Sequence, residues 1–425
     1  MEWRAASGWR VVALWVGICA CRADGGKGGW PEFRGPTGQG HAAADADPPL
    51  KWSPTLHVRY KTEIPGVGWS SPAVEENRIW MSTATEDGRS LRAVCVDAES
   101  GRILHDIEVF RVESPRRINA FNSYASPSPV IQGGRVYVCF GGEGSACLDA
   151  ATGVAVWKNR DLRVEHMEGA GSSPVIYKGL YLLHFDGVDA QFVAALDKSD
   201  GKLVWKRDRD TPFPPLVIGP FRKAFSTPLI VNVGGKDQLV SPAARRIYSY
   251  DPENGREVWH VDLDPPAYNT APRPVYADGV VYVCTGFDQA QLLAIKLDET
   301  CVGDVTRRHV LWKFNKGVPH KPSPLLVDGE LYIVGDNGIA RCLDPKTGEE
   351  IWHERVGAAF SASPVDARGR IYFFGEGGRC VVVQAGREFK VLADNFLEAE
   401  CLASPAFVGN CIYIRTKSHL FCVQG

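Results

Sequence analysis

One phrase recurs along the chain: an apolar or aromatic residue, Asp, three residues, Gly, three residues and Trp. It stands at Leu148-Asp149…Gly153…Trp157, Leu196-Asp197…Gly201…Trp205, Tyr250-Asp251…Gly255…Trp259 and Leu343-Asp344…Gly348…Trp352. A further copy, Val96-Asp97…Gly101…His105, keeps the spacing and loses the Trp. Self-similarity at this period predicts a ring or array of like units rather than an irregular globule. The Asp-x-x-x-Gly core predicts a tight turn, because Asp can hydrogen-bond the backbone that follows it and Gly accepts a positive φ.

Short alternating runs precede each turn, such as Arg135-Val136-Tyr137-Val138 and Glu330-Leu331-Tyr332-Ile333-Val334, and read as antiparallel strands. A second anchor opens each unit: Ser71-Pro72, Ser128-Pro129, Ser173-Pro174, Thr227-Pro228, Arg273-Pro274, Ser323-Pro324, Ser363-Pro364 and Ser404-Pro405. Pro has no amide proton for a sheet ladder, so it belongs where a strand begins. Eight anchors about 40 to 57 residues apart match the length of four-stranded propeller blades. The expected fold is therefore all-β, an eight-bladed β-propeller. Its last unit runs out one strand short, and Val58-Arg59-Tyr60-Lys61, which mimics Trp157-Lys158 and Trp312-Lys313, is expected to supply that strand and close the ring.

Residues 1–23 carry Arg4 and Arg10 ahead of an apolar run from Val11 to Ala20 and read as a secretory signal, too short for a membrane span. Two readings stay open, cleavage after Ala23 or a lipoprotein box with Cys21 lipidated; both place the protein outside the cytoplasm. Residues 24–57 form an N-terminal extension, and 58–425 the propeller. Within the extension, Trp30 to Gly40 is expected either to plug or to brace the ring. The net charge of −2 gives no reason to expect nucleic acid as a partner. Cys95, Cys147, Cys342 and Cys422 occupy one blade position, too far apart for disulfides, and most cysteines are expected to be buried thiols. Cys139 and Cys147 share a hairpin and form the pair to test.

The phrase best preserved at Cys147–Trp157 and Cys342–Trp352 resembles the repeat of quinoprotein (PQQ-type) propellers, a group that includes quinoprotein alcohol dehydrogenases and the propeller lipoprotein of the outer-membrane β-barrel assembly machinery. The segment from Trp30-Pro31 to Gly40, and Asn122-Ser123-Tyr124-Ala125-Ser126-Pro127, are similar to secreted bacterial members. The resemblance implies the fold over nearly the whole chain; function does not follow from fold. The dehydrogenases hold PQQ over a disulfide between adjacent cysteines and use Ca²⁺. This chain has no Cys-Cys and no Cys-x-x-Cys-His, so PQQ is not expected as a cofactor.

In a propeller, the loops that enter the innermost strands and those between the second and third strands gather around one mouth of the channel. Sequence position places His184, Asp186, Lys223, Arg273 and Lys321 there, together with Trp69, Asn122, Tyr124, Arg222, Arg245, His320, Asp336 and Glu376. Cations from several blades could focus charge on an anionic ligand, a carboxylated or sulfated saccharide or an acidic peptide. His184 beside Asp186 could act as a polar contact or acid–base group. The competing reading is that these are wet loop charges or neighbour-paired ions. Replacing Lys223 and Arg273 together should weaken an anion and leave folding intact. No metalloprotease, phosphate-loop, serine-hydrolase or calcium-loop motif is present, and no catalytic residue is named. The expectation is an exported, monomeric binding or scaffolding module whose partner is an envelope protein or anionic saccharide. A PQQ-dependent oxidoreductase and a carbohydrate-active propeller are the alternatives.

Overall fold

The repeat closes into eight antiparallel sheets around one axis. This computed structural model describes residues 28–425; the signal segment and Cys21 lie outside the described residues. Blades 1 to 7 span residues 73–111, 130–159, 175–208, 229–262, 275–314, 325–355 and 365–396, each running from the innermost strand outward. Blade 8 is built from both ends of the chain. Its three inner strands lie within 406–424, and Val58–Glu63 pairs antiparallel with His419–Gln424 as the fourth. Tyr60 stands opposite Cys422, where Trp157 stands opposite Cys147 and Trp352 opposite Cys342 in their own blades. The closing strand thus occupies the outer position of the repeat.

The recurring Asp, Gly and Trp act between blades as well as within them. Gly201 has φ +75°, and a Cβ built there would fall 2.6 Å from the Trp157 ring of the preceding blade. Gly255 meets Trp205 and Gly348 meets Trp312 in the same way. Glycine is required on both counts, a left-handed backbone and close approach of an aromatic face. Trp157 also donates its indole N–H to the Lys198 carbonyl of that next turn at 2.9 Å. Each such Trp caps the following blade, and the phrase spreads the contact around the ring.

The Ser of the Ser-Pro anchor has its own role. The Ser71 amide donates to the Ser128 hydroxyl, Ser128 to Ser173, and Ser173 to Thr227, at 2.9 to 3.0 Å. Beyond blade 5 the chain of bonds resumes from Arg273 to Ser323, Ser323 to Ser363 and Ser363 to Ser404, again at 2.9 to 3.0 Å. In six of the eight blades an anchor hydroxyl therefore satisfies the buried amide of the blade before it. At blade 5 the anchor is Arg273, which has no hydroxyl, and the relay skips.

Residues 30–47 cross the end of the channel where the innermost strands finish. Trp30 and Val74 of blade 1 exchange backbone hydrogen bonds, and Pro31 accepts from Ile131 of blade 2. Gln39 accepts from the Tyr276 amide of blade 5, Gly40 and Ala42 bond Asp366 of blade 7, and Asp47 donates to Gly409 of blade 8. The segment is a plug, and Trp30 at its start is buried in the core against Phe407. All ten cysteines of the described residues are buried free thiols. Cys139 faces Ser145 and Cys147 faces Tyr137 across their hairpin, so the pair singled out from sequence is not joined.

Candidate functional site

The channel opens at the other end into a cavity of about 760 Å³. Its wall is the ring of anchors, including Ser71, Ser128, Ser173, Thr227, Ser363 and Ser404, and its floor includes Phe33 of the plug. Aromatic side chains dominate above that floor: Trp69, Phe121, Phe221, Phe225, Tyr268 and Phe287. Some of these stand out in solvent at the mouth, Phe121 at 80 % exposure, and the neighbouring loops add Leu216 at 93 % and Ile218 at 69 %. The exposed aromatic side chains of the lining, Phe121, Phe221 and Phe287, give the cavity an apolar mouth.

Of the five residues singled out from sequence, Lys321 lines the cavity. It lies on the loop entering blade 6, and its Nζ is 2.8 Å from Glu376 Oε1 and 3.8 Å from Asp336 Oδ1. Burial works against the charged form of Glu376, yet its bonds from Lys321 and Ser361 prevail and hold its carboxyl below the usual value. His320 stacks on Phe287 with ring centres 4.4 Å apart and sits 3.4 Å from Asp336. The cationic wall expected from sequence is thus an ion-paired patch within an aromatic funnel.

Arg273 points into the plug. Its guanidinium donates to Glu32 Oε1 at 3.0 Å, to the Phe33 carbonyl at 2.6 Å and to the Pro228 carbonyl at 3.2 Å. Lys223 is fully buried beneath the rim, its Nζ aimed at the carbonyls of His166 and Gly169 and lying 4.3 Å over the Phe225 ring. Burial lowers its ammonium to about 8. Both cations have structural partners, so the double substitution that sequence reasoning treated as neutral for folding is instead expected to cost stability.

His184 and Asp186 sit in a closed network between blades 3 and 4. Asp186 accepts from Arg209 Nε at 2.7 Å, and its other oxygen is 2.7 Å from His184 Nε2. Ser241 Oγ lies 3.0 Å from His184 Nδ1, and Arg209 also donates to Ser241 and Tyr250. Burial opposes ionisation of Asp186, but Arg209 and His184 outweigh it and keep the carboxyl below its ordinary value. Burial, with Arg209 nearby, lowers the His184 imidazole. The order Ser, His, Asp is that of a hydrolase triad. Here the side chains of His184, Asp186 and Arg209 are fully shielded from solvent, and none of the network lines the cavity, so the arrangement staples two blades.

Sequence reasoning placed Trp69 at the mouth and missed Phe121, Phe221, Phe225, Tyr268 and Phe287. Phe121, Phe221 and Phe287 lie on loops with no strand periodicity, and nothing in their local pattern separates a rim aromatic from a core one. The only available cue was apolar residues inside loops that should be wet.

An eight-bladed propeller with this repeat is of the PQQ-like class. The chain belongs to the family described as outer membrane protein assembly factor BamB, whose profile matches residues 45–232 and 189–424. A curated relative, outer membrane protein assembly factor BamB of Yersinia pestis, is 22% identical over 275 residues. That match covers 62% of this chain and 64% of the relative's length, slightly under two thirds of it. Among solved structures, BamB from Moraxella catarrhalis superposes with a TM-score of 0.59 at 12% identity, covering 87% of this chain and 99% of that one. A europium-containing methanol dehydrogenase gives 0.66 at 12% identity, covering 92% and 90%. At these identities the two structures show the fold alone.

Proposed function

We propose that this propeller is an envelope scaffold that holds a polypeptide partner at its funnel face and serves in outer-membrane protein assembly. The observation that carries this reading is the exposed Phe121 and Phe221 on the cavity wall, with Leu216 and Ile218 exposed on the segment that leads into Phe221. Clustered exposed apolar side chains rimmed by polar residues mark surfaces that bind another chain. The family description supports the setting, and no helix of the described residues is long and apolar enough to cross a membrane. An exported location, soluble or anchored through Cys21, accords with this role. The anionic ligand expected from sequence would have to compete with Glu376 and Asp336 for Lys321, so the lining favours an apolar peptide over an acidic saccharide.

The test is site-specific photocrosslinking in a native envelope, with the crosslinker at position 121 or 216 and, as control, at exposed Val154 on the outer edge of blade 2. Crosslinks to a β-barrel assembly component from the funnel positions alone are expected. Equal labelling from Val154, or no envelope partner from position 121 or 216, would overturn the reading.

The fold likeness to methanol dehydrogenase makes a quinone cofactor the rival reading. Among the described residues no cysteine lines the cavity, and of its two carboxylates Asp336 is already held by His320 and Lys321, which leaves Glu168. The lining lacks the disulfide over which PQQ would be held. Calorimetric titration with PQQ, with and without Ca²⁺, separates the readings: no heat is expected, and micromolar binding would favour the oxidoreductase.

A further inference from the structure

Blade 5 departs from the repeat where the other turns are shortest. Between Asp298, its turn aspartate, and Trp312, its outer tryptophan, the connection is longer than the Asp-x-x-x-Gly-x-x-x-Trp of its neighbours. Its middle, Gly303–Asp304, adds a fifth strand to blade 4, pairing parallel with Trp259 and His260. Three side chains of different chemistry meet at the base of this excursion.

Cys301 Sγ lies 3.0 Å from His309 Nδ1. A carboxylate oxygen of Asp298 completes a group whose ligand atoms all fall within 4.8 Å of one another. The Lys296 carbonyl converges on the same point, 3.3 Å from Cys301 Sγ and 3.1 Å from His309 Nδ1. Cys301 and His309 are buried, whereas Asp298 keeps a third of its side chain in solvent, which gives an ion a way in. A thiol, an imidazole and a carboxylate converging without a facing guanidinium form a donor set suited, once the thiol is deprotonated, to tetrahedral zinc. A second group, His260, Asp262 and Asp304, is less suited, because Asp262 already accepts from Arg246 at 2.6 Å.

We propose that Asp298, Cys301 and His309 bind a divalent first-row cation, zinc for preference, with water or the Lys296 carbonyl in the fourth position. Binding releases one proton as the Cys301 thiol becomes the metal-bound thiolate. Bond lengths of about 2.3 Å to sulfur and 2.0 Å to nitrogen set Sγ and the ring nitrogen roughly 3.5 Å apart, so the pair opens by about half an ångström. Lys296, now 3.1 Å from Asp298 on a half-exposed side chain, moves aside into solvent. The ion would pin the added strand to blade 5 while that strand is paired with blade 4, joining the two blades at their outer edge.

The experiment is titration of the full exported chain with Co²⁺ as a spectroscopic stand-in for zinc, followed by displacement with Zn²⁺. A saturable 1:1 signal is expected, with a thiolate-to-cobalt charge-transfer band and the visible bands of a tetrahedral ion, abolished by Zn²⁺. Cys301→Ser should remove the charge-transfer band, His309→Gln should weaken binding at least tenfold, and Cys139→Ser, a buried thiol elsewhere, should change neither. Folding of each variant is checked by circular dichroism. Absence of the band in the unmodified protein, or its persistence in folded Cys301→Ser, would overturn the proposal.

Discussion

Arg273 and Glu32 form a buried ion pair 3.0 Å long that ties the fifth blade's innermost strand to the N-terminal plug. Arg273 takes the position that carries Ser or Thr in every other blade, so the hydroxyl relay is interrupted where the plug is gripped. Arg273→Ala strands the Glu32 carboxylate and should cost about 3–5 kcal/mol. Burial already raises the Glu32 carboxyl despite Arg273. Arg273→Lys keeps the charge but cannot reproduce the forked donation to Glu32 and the Phe33 carbonyl, and should recover only part. Urea unfolding measures the loss, and faster proteolytic cutting within 30–47 should accompany it.

Gly201→Ala tests the coupling between blades 2 and 3. The substitution meets a positive φ and the Trp157 ring together, and should destabilise by roughly 2–4 kcal/mol. In a Trp157→Ala background the ring is gone, and the added cost should fall to about 1–2 kcal/mol. A double-mutant cycle of thermal unfolding reads the difference; strict additivity would show that ring and glycine do not touch.

The hydroxyl relay predicts a penalty larger than an ordinary surface serine would give. Ser128→Ala leaves the buried Ser71 amide without its acceptor and should cost about 1–3 kcal/mol. Ser199→Ala, in an exposed turn, should change stability by no more than about 1 kcal/mol. Chemical denaturation of the two variants side by side checks the contrast.

Acid should act through His166. Its ring is buried without hydrogen-bond partners, and burial, with Lys223 close by, lowers it to about 3, while Asp186 and Asp189 pull weakly the other way and His184 adds to the lowering. Between roughly pH 3 and 6.5 the unfolded chain therefore binds the proton that the folded chain refuses. Stability is present above that window and falls as pH drops through it, by on the order of 5 kcal/mol in all. His166→Phe should flatten this part of the profile, measured as unfolding free energy between pH 4 and 7.

The turns, anchors, blade number and closing strand were legible because each is written in short-range chemistry: a Pro that cannot donate, a Gly that accepts positive φ, a Trp at fixed distance. The partners of those residues were not. Nothing local in Gly201 shows that the ring above it belongs to the blade before, and nothing in Ser128 shows which amide it serves. The site was less legible still. Position in the repeat placed His184, Asp186, Lys223 and Arg273 at a wet mouth, whereas each is desolvated among partners that the repeat does not name. Lys321 alone of the five reached the cavity wall, and the funnel's main character, its aromatic side chains, carried no repeat to read.

Blade 8 imposes an order of events. Val58–Glu63 is made well before His419–Gln424 and must wait for it before its edge is covered. The plug waits too, since its contacts are spread over blades 1, 2, 5, 7 and 8. Until residues 419–424 emerge, an open-edged arc and an unseated N-terminal arm coexist, both exposing groups that favour association. A chain of this design cut short before residue 419 would keep that open-edged arc, and self-association is the outcome expected of it.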